Sequence, residues 1–304
     1  MRRIFPILLL SGILMFTACE GDNRGNNNSD DYEAVSAVSA EAPEASTENE
    51  ETSEPPAVSE EPSEEESSET VYTLPVVDVP EEPEYDLSEY SPVGTPGAKK
   101  IIIRVSDVGD TIPADMFAKN NEITDVYIDD GIKVIGGGAF WKCESLESVR
   151  LPSTLVEFGG QGFNFYGCGS LKAIYIPKGV KSLNFGTFAF CGLETVSLPD
   201  GFECISSEAF YGCFSLTGIK LPQSLKYIEK KGLPYAHGDN PGIHVIEYPD
   251  NLEEVWYPDC EAVFVNKNSK TYETLERCGI LDMHTLKIII KDDPTESVVS
   301  DTFD

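Results

Sequence analysis

Residues 138–152 have the sequence Gly138-Ala139-Phe140-Trp141-Lys142-Cys143-Glu144-Ser145-Leu146-Glu147-Ser148-Val149-Arg150-Leu151-Pro152. The same order of Phe, Cys, Leu, two alternating apolar residues and Pro returns three more times, and the closing prolines are Pro152, Pro177, Pro199 and Pro222. These prolines lie 25, 22 and 23 residues apart. A period of about 20 to 50 residues is typical of proteins built from stacked repeats.

The repeat continues in both directions. Apolar residues stand three and six positions after each proline. Pro249 continues this pattern toward the C-terminus, and Asp129 takes the proline position in the copy that precedes Pro152. This gives six registers, from about residue 112 to about residue 257. The alternating apolar pairs predict short strands that the prolines end. Since one unit cannot bury its apolar residues by itself, neighbouring units must stack into a solenoid of short parallel strands and turns.

The motif Ala139-Phe140-x-x-Cys143-x-x-Leu146-x-x-Val149-x-Leu151-Pro152 resembles the BspA type of leucine-rich repeat, which is common in bacterial surface proteins. The resemblance covers roughly half of the chain and implies a repeat solenoid of the leucine-rich-repeat type. It also implies surface adhesion or interaction with host or neighbouring cells. The copies depart from the motif at Asn164 and Thr187, which take the Ala position, and between Cys191 and Leu193, where one residue is missing.

The N-terminus has the features of an export signal over residues 1–18. Arg2 and Arg3 precede an apolar run that is too short to span a bilayer well. The segment Phe16-Thr17-Ala18-Cys19 resembles a bacterial lipobox, with Phe in place of the usual first Leu. The resemblance implies cleavage before Cys19, lipid attachment to its sulfur and an extracytoplasmic place on the membrane or cell surface. A secreted protein with an incidental cysteine is the alternative.

Residues 19–98 are predicted to be an acidic, disordered linker rich in Ser, Glu and Pro. Residues 20–98 hold 23 Asp and Glu against one basic residue, Arg24, which is a net charge of −22 out of −31 for the chain. Such a composition buries too little apolar area to offset the entropy of ordering. A tether is expected, with a cation-binding or glycan-attachment segment as the alternative. The short apolar runs between Val71 and Val77 are left unassigned.

The folded part is predicted to span residues 99–292, followed by a loose acidic tail over 293–304. Residues 101–105 predict a first strand that caps the N-terminal turn. At the other end, residues 269–279 predict a short capping helix that begins after Ser269 and stops at Gly279, and residues 286–290 predict a last strand.

Seven cysteines remain beside Cys19, and four of them occupy one position of the repeat: Cys143, Cys168, Cys191 and Cys213. Stacked side chains that point the same way suit a disulfide poorly, and paired C-x-x-C spacing for zinc is absent from the sequence. We therefore expect small buried residues with a weak S–H donor.

Two outward rows of the repeat are candidate binding faces. The position two before the proline gives Tyr127, Arg150, Tyr175, Ser197, Lys220 and Glu247. The position after the repeat Phe gives Trp141, Tyr166, Ala189 and Tyr211. Exposed aromatic rings at such spacing could stack on sugars or grip a peptide. The alternative is that the rings only cover the edges of neighbouring turns.

Other kinds of site have little support. His237, Asp239 and His244 lie in a loop insertion over residues 233–244, but no regular spacing brings them together as a metal site. No metal site and no cofactor are expected. The sequence contains no phosphate-binding glycine loop and no nucleophile motif, and its acidic balance disfavours nucleic acid.

These patterns favour a cell-surface, lipid-anchored solenoid that binds an extracellular protein or glycan and is not an enzyme. A monomer is expected. The alternative is a structural or assembly component of the cell envelope without a soluble ligand. A hydrolase would need two carboxylates that face one groove, and no local pattern places such a pair.

Overall fold

The computed structural model describes residues 72–78, 80–234, 242–258, 260–283 and 285–291. The predicted export signal, Cys19, most of the acidic linker, the tip of the insertion and the C-terminal tail lie outside these residues. The expectations about them therefore stay predictions.

The described chain forms a parallel β-solenoid of about eight turns, which confirms the predicted fold class. The strands are β1 (Ser91–Pro92), β2 (Lys100–Ile103), β3 (Thr111–Ile112), β4 (Asp125–Ile128), β5 (Val134–Ile135), β6 (Ser148–Arg150), β7 (Glu157–Phe158), β8 (Ala173–Tyr175), β9 (Ser182–Leu183), β10 (Thr195–Ser197), β11 (Cys204–Ile205), β12 (Tyr227–Ile228), β13 (Val245–Glu247), β14 (Glu254–Val255), β15 (Ala262–Val265) and β16 (Lys287–Ile290). The α-helices are α1 (Val105–Val108) and α2 (Lys270–Arg277), and 3-10 turns span Leu87–Glu89 and Ile280–Asp282.

One strand of each turn contributes to what we call the main sheet, which has three parallel hydrogen-bonded groups: β1-β2-β4-β6, β8-β10 and β13-β15-β16. Residues 217–220 take the strand position of the remaining turn without strand pairing. The second strands pair in parallel as β3-β5-β7 and β9-β11-β12-β14. Within β6, Val149 is buried and its two neighbours are half-buried, so the period of two sets an inner and an outer face.

Five phenylalanines, one from each of five consecutive turns, form a continuous stack in the core. They are Phe117, Phe140, Phe165, Phe188 and Phe210, and all are buried. Successive ring centroids lie between 4.9 and 5.8 Å apart, and the ring planes are within 7–15° of parallel. Such stacking adds roughly 0.5–1.5 kcal/mol for each pair beyond the burial of apolar area.

The four repeat cysteines form a second ladder beside the phenylalanines. Each Sγ donates to the backbone carbonyl of the phenylalanine one turn back, at distances of 3.0 to 3.2 Å. Burial raises the pKa of Cys143 and of Cys213 to about 12 and also raises the pKa of Cys191. All four thiols are free. The prediction of small buried residues with a weak S–H donor is confirmed.

The two departures from the repeat motif are accommodated by hydrogen bonds. Asn164, in the Ala position, is buried, and its amide group donates to the carbonyls of Ile135 at 2.8 Å and Gly136 at 2.9 Å. Thr187 is also buried and donates to the Asn184 carbonyl at 2.8 Å. Polar side chains are thus tolerated in the core because they pair with backbone groups.

The C-terminal end is capped as predicted, whereas the predicted first strand over 101–105 is β2, which ends at Ile103 and lies second in the sheet because β1 pairs outside it. At the N-terminal end β2 buries Ile101, Ile102 and Ile103 and pairs with β4. At the C-terminal end α2 begins after Ser269, whose side chain accepts from the Tyr272 amide, and the chain leaves α2 through Gly279 in the left-handed region. β16 closes the main sheet beside β15.

The structure differs from the expected linker in its last part. The described residues from 72 to 98 contact the solenoid through Tyr72, Val77 and Tyr85, and β1 pairs with β2 as the first strand of the main sheet. The composition gave no sign of this, because the segment is held by a few widely spaced tyrosines and not by a continuous apolar run. We call the described residues 72–78 and 80–90 the strap.

Candidate binding surfaces

The residue that follows the core phenylalanine is half-buried at Trp141, Tyr166 and Tyr211 and buried at Ala189, and successive turns align this position. Backbone hydrogen bonds fix the alignment: the Lys142 N–H donates to the Tyr166 carbonyl at 2.6 Å, and the Phe190 N–H donates to the Tyr211 carbonyl at 2.7 Å. The predicted residues Trp141, Tyr166 and Tyr211 therefore lie on one side of the solenoid.

These three residues become one continuous surface only through Phe190. Ala189 holds the predicted position and is buried, whereas the neighbouring Phe190 is 43% exposed. The Phe190 ring centroid lies 5.4 Å from that of Tyr166 and 5.4 Å from that of Tyr211. The centroids of Trp141 and Tyr166 are 6.4 Å apart. We call Trp141, Tyr166, Phe190 and Tyr211 the aromatic band.

Two further phenylalanines widen the aromatic band at its centre. The ring centroid of Phe163 lies 5.5 Å from that of Tyr166 and 5.0 Å from that of Phe185. Phe185 is 40% exposed. The band therefore offers contiguous apolar rings to solvent, which marks an interaction site more often than scattered apolar residues do.

Phe163 and Phe190 have left-handed backbones, each with φ of 57°. The matching positions of neighbouring turns also have positive φ and carry Gly138 and Glu208 for Phe163, and Lys142 and Gly167 for Phe190. A bulky side chain there costs about 1–3 kcal/mol and persists only where its surroundings hold it. The solenoid thus keeps two phenyl rings at the surface in positions where glycine would be less strained.

Lysines surround both ends of the band in an otherwise acidic protein. The Nζ atoms of Lys119 and Lys142 lie 4.8 and 5.0 Å from the ring centroid of Trp141. The Nζ atom of Lys231 lies 5.0 Å from that of Tyr211. Burial, with a smaller contribution from the Glu208 carboxylate, raises the pKa of Tyr166. The tyrosine is therefore neutral at pH 7, and cationic groups lie against the rings at the two ends of the band, Trp141 and Tyr211.

Sequence reasoning missed Phe163, Phe185 and Phe190, because only the position after the repeat Phe was examined. A usable signal was present. Phe163 and Phe190 stand two residues before and two residues after a core phenylalanine, where other copies carry glycine.

The second candidate row lies on the main sheet, and part of it is covered. The Tyr127 ring contacts the strap residues Tyr85 and Tyr90, with centroid distances of 5.6 and 6.1 Å. Arg150 donates to the Ile128 carbonyl and to Asp130. The row is therefore less open than the sequence suggested, although Lys220 is exposed.

The position of the strap beside this row shifts the pKa values of three groups, Glu82, Tyr85 and Tyr175. Burial raises the pKa of Glu82, with Arg150 opposing the shift. Burial likewise raises the pKa of Tyr85 to about 12, and its hydroxyl forms a hydrogen bond with Ser148. The pKa of Tyr175 is raised by burial and by the charge of Glu82.

The predicted insertion carries little that can be described. His237 and Asp239 lie outside the described residues, and His244 pairs with Glu261 at 2.8 Å. Within the described ranges, no group of three or more His, Cys, Asp or Glu side chains is placed to hold a metal ion. Beside the insertion, Leu233, Tyr248 and Trp256 help to line a small cavity.

A comparison with protein-family models identifies the repeat type. A model of the BspA type leucine rich repeat region matches six copies, over residues 110–164 and 161–257. A leucine-rich repeat protein from Bacteroides ovatus ATCC 8483 is 27% identical, with a TM-score of 0.42, over 50% of this chain and 42% of that chain. The present chain thus spans less than half of the length of that protein.

Two other solved structures are similar at lower identity. The leucine rich repeat protein of T. pallidum is 20% identical, with a TM-score of 0.28, over 50% of this chain and 83% of that chain. A leucine rich cell surface protein from Faecalibacterium prausnitzii A2-165 is 16% identical, with a TM-score of 0.25, over 61% and 84% of the two chains. A comparison with the curated proteins found no match.

The residues matched by the family model, 110–257, lie within the solenoid. Across the described part of the chain, no helix is long and apolar enough to cross a membrane. The chain belongs to the proteins that carry a BspA-type leucine-rich repeat region.

Proposed function

We propose that this protein is a lipid-anchored cell-surface protein that binds an extracellular protein or glycan through the aromatic band. The observation that carries the proposal is the row of partly exposed rings, Trp141, Tyr166, Phe190 and Tyr211, with lysines at both ends. The proposed activity is binding, with no catalytic step.

The physical chemistry of the band supports this activity. Aromatic side chains present a large contact area at a low entropic cost, because they have only two side-chain torsions. Since the rings already brace one another, little freedom is lost when a ligand covers them. A ligand with a flat apolar face and an acidic group near its ends would use both the rings and the lysines.

The proposed location rests on the N-terminal motif and on the family. BspA-type proteins are generally surface proteins. A diacylated Cys19 would fix the chain to the membrane, because two acyl chains anchor stably where one is marginal. The acidic residues that follow would act as a solvated spacer between the membrane and the solenoid.

The second candidate function is a structural component of the cell envelope without a soluble ligand. The packing of the rings against one another favours it, because rings that cover neighbouring turns need no ligand. The partial exposure of Phe185 and Phe190 favours binding instead, since contiguous apolar rings open to solvent are typical of interaction sites.

A binding screen against glycan and matrix-protein arrays tests the proposal. The probe is the exported chain from Cys19 onward, as wild type and as the variants Trp141→Ala and Tyr211→Ala. The matched control is Trp256→Ala, because Trp256 is also exposed and also lies near a lysine, Lys230, but is outside the band.

We expect the wild-type protein to bind ligands on the arrays, the two band variants to lose this binding, and the control variant to keep it. Hits that survive both changes would move the ligand site off the band. A blank array with the folded wild-type protein would favour the structural role.

A further inference from the structure

The strap runs along the solenoid axis, across the strands of the main sheet. Its first residue, Tyr72, packs against Ala262, Phe264 and Ile289 at the C-terminal end. Its later residue Tyr85 meets the ring of Tyr127 near the N-terminal end. The order of the contacts along the strap is the reverse of the order of the turns.

The intermediate contact lies on Gly218. A Cβ atom built on Gly218 would stand 2.9 Å from a methyl carbon of Val77 and 3.3 Å from the ring of Pro75. The equivalent positions of other turns carry Ser148, Ala173 and Thr195, so the repeat does not require glycine there. Gly218 instead gives the strap room to lie close to the sheet.

An extended chain fits this path. Six turns at ~4.8 Å separate β4 from β15, or about 29 Å. The thirteen residues from Tyr72 to Tyr85 can reach up to about 40 Å in the polyproline conformation. Pro75, Pro80 and Pro83 favour that open conformation and cannot donate backbone hydrogen bonds.

The charges of the strap and of the sheet are complementary. Residues 72–90 contain six acidic residues and no basic residue. On the sheet side Arg150 lies near Glu82, and Lys100 pairs with Glu89 at 2.7 Å. Lys220 stands two residues after Gly218 in the same turn and is exposed. The same face also carries Asp125 and Glu247, the latter paired with Lys291, so the match to an acidic segment lies at Lys100, Arg150 and Lys220.

The strap is held by few side chains. Tyr72, Val77, Tyr85 and Tyr90 are half-buried, whereas the remaining described strap residues are exposed, Val76 by 94%. Segments with few buried contacts open at a low free-energy cost compared with the core of the same protein. The strap can therefore leave the sheet while the solenoid stays folded.

We infer that the outer face of the main sheet is a second binding surface, for an extended acidic peptide segment of a partner protein that carries proline and tyrosine, and that the strap occupies this surface until the partner displaces it. This surface is separate from the aromatic band, so the inference does not depend on the proposed function. Tyrosines that pack as Tyr72 and Tyr85 do, against the two ends of the sheet, would set the register of the peptide.

The test uses a fluorescent synthetic peptide with the sequence of residues 72–90 and the exported chain in three forms. The first form is wild type. The second, Tyr72→Ala with Tyr85→Ala, weakens the strap and leaves the sheet unchanged. The third adds Gly218→Thr, which introduces a residue that the repeat carries at Thr195 but that collides with Val77 of any bound peptide.

We expect the second form to bind the peptide at least about tenfold more tightly than wild type, because the linked strap no longer competes at high effective concentration. The third form should lose this gain, and Lys220→Glu in the second form should weaken binding. Tyr211→Ala, in the aromatic band, should leave peptide binding unchanged. Equal melting temperatures would show that all forms are folded.

Failure of the folded second form to bind more tightly than wild type would overturn the inference. So would equal binding of a scrambled peptide. If wild type forms a concentration-dependent dimer and Gly218→Thr abolishes that dimer, the segment that binds the sheet is the strap of a second copy and not a partner protein. In native hydrogen exchange, strap amides should exchange much faster than those of β4 and β6, and equal protection would also contradict a displaceable strap.

Discussion

At the scale of single residues, the candidate site was only partly predictable. The repeat period fixed Trp141, Tyr166 and Tyr211, because each follows a core phenylalanine at a constant step. Phe190 was not predicted, because a left-handed backbone places it in the band and it does not directly follow a core phenylalanine. A periodic pattern identifies which positions are equivalent. It does not show that, where the equivalent residue is Ala189, the ring of the neighbouring Phe190 completes the band.

The left-handed backbone of Phe190 allows a matched pair of variants. Phe190→Gly and Phe190→Ala remove the same ring, but only glycine relieves the strain. We expect Phe190→Gly to be more stable than Phe190→Ala by about 1–2 kcal/mol, the cost of the left-handed region for a residue with Cβ. Urea denaturation of both variants gives the difference. Equal stabilities would mean that the turn carries no strain at this position.

The buried thiols make a second prediction at this scale. Burial raises the pKa of Cys143 and Cys213 to about 12 in the folded state, whereas an unfolded thiol titrates near about 8.5. The neutral thiols contribute their full stabilisation to the folded state at pH values below the pKa of the unfolded thiol. This contribution is lost as the pH rises toward about 12. We therefore expect unfolding free energy to fall between about pH 9 and 12, and Cys213→Ser to lessen that fall.

Alkylation of the folded protein at neutral pH checks the same chemistry. Iodoacetamide should label the exposed Cys278, while Cys143 and Cys213 should react only after denaturation. Rapid labelling of the ladder thiols under native conditions would contradict their burial.

At the scale of elements, the sequence predicted the turns well and the strap not at all. Four consecutive turns share the same inward Phe, Cys and Leu positions, so local pattern and global packing agree there. The strap is held by long-range contacts of Tyr72, Val77 and Tyr85, and its Pro and Glu content is that of a disordered chain. No local pattern reports contacts of this kind.

The phenylalanine stack is the element whose disruption should matter most. Phe165 is fully buried between two stacked rings, so Phe165→Ala should cost about 3–5 kcal/mol of unfolding free energy. Phe185→Ala is the control, because that ring is 40% exposed and its loss should cost less than about 1 kcal/mol. Similar losses for both variants in urea denaturation would argue against a core built on the stack.

At the scale of the whole molecule, charge and structure are separated along the chain. Residues 20–98 carry a net charge of −22, and residues 99–304 carry −11. We propose that the first part holds the solenoid away from the membrane. The strap ends this tether, so the chain would reach the solenoid at Tyr72, near the C-terminal turns.

The proposed anchor predicts how the protein fractionates. Cys19→Ser removes the sulfur that would carry the lipid, so the variant should move from the membrane fraction to the soluble fraction or the medium. Cys278→Ser is the control, because that exposed cysteine has no part in anchoring. A wild-type protein that is already soluble would contradict lipid attachment.

The most direct measurement on the aromatic band uses the two tryptophans of the chain. In Trp256→Phe only Trp141 fluoresces, and in Trp141→Phe only Trp256 does. Titration with a ligand found on the arrays should shift the emission of Trp141 and protect it from acrylamide, while Trp256 should not respond. A response from Trp256 with none from Trp141 would contradict the central claim that the aromatic band is where this protein binds its ligand.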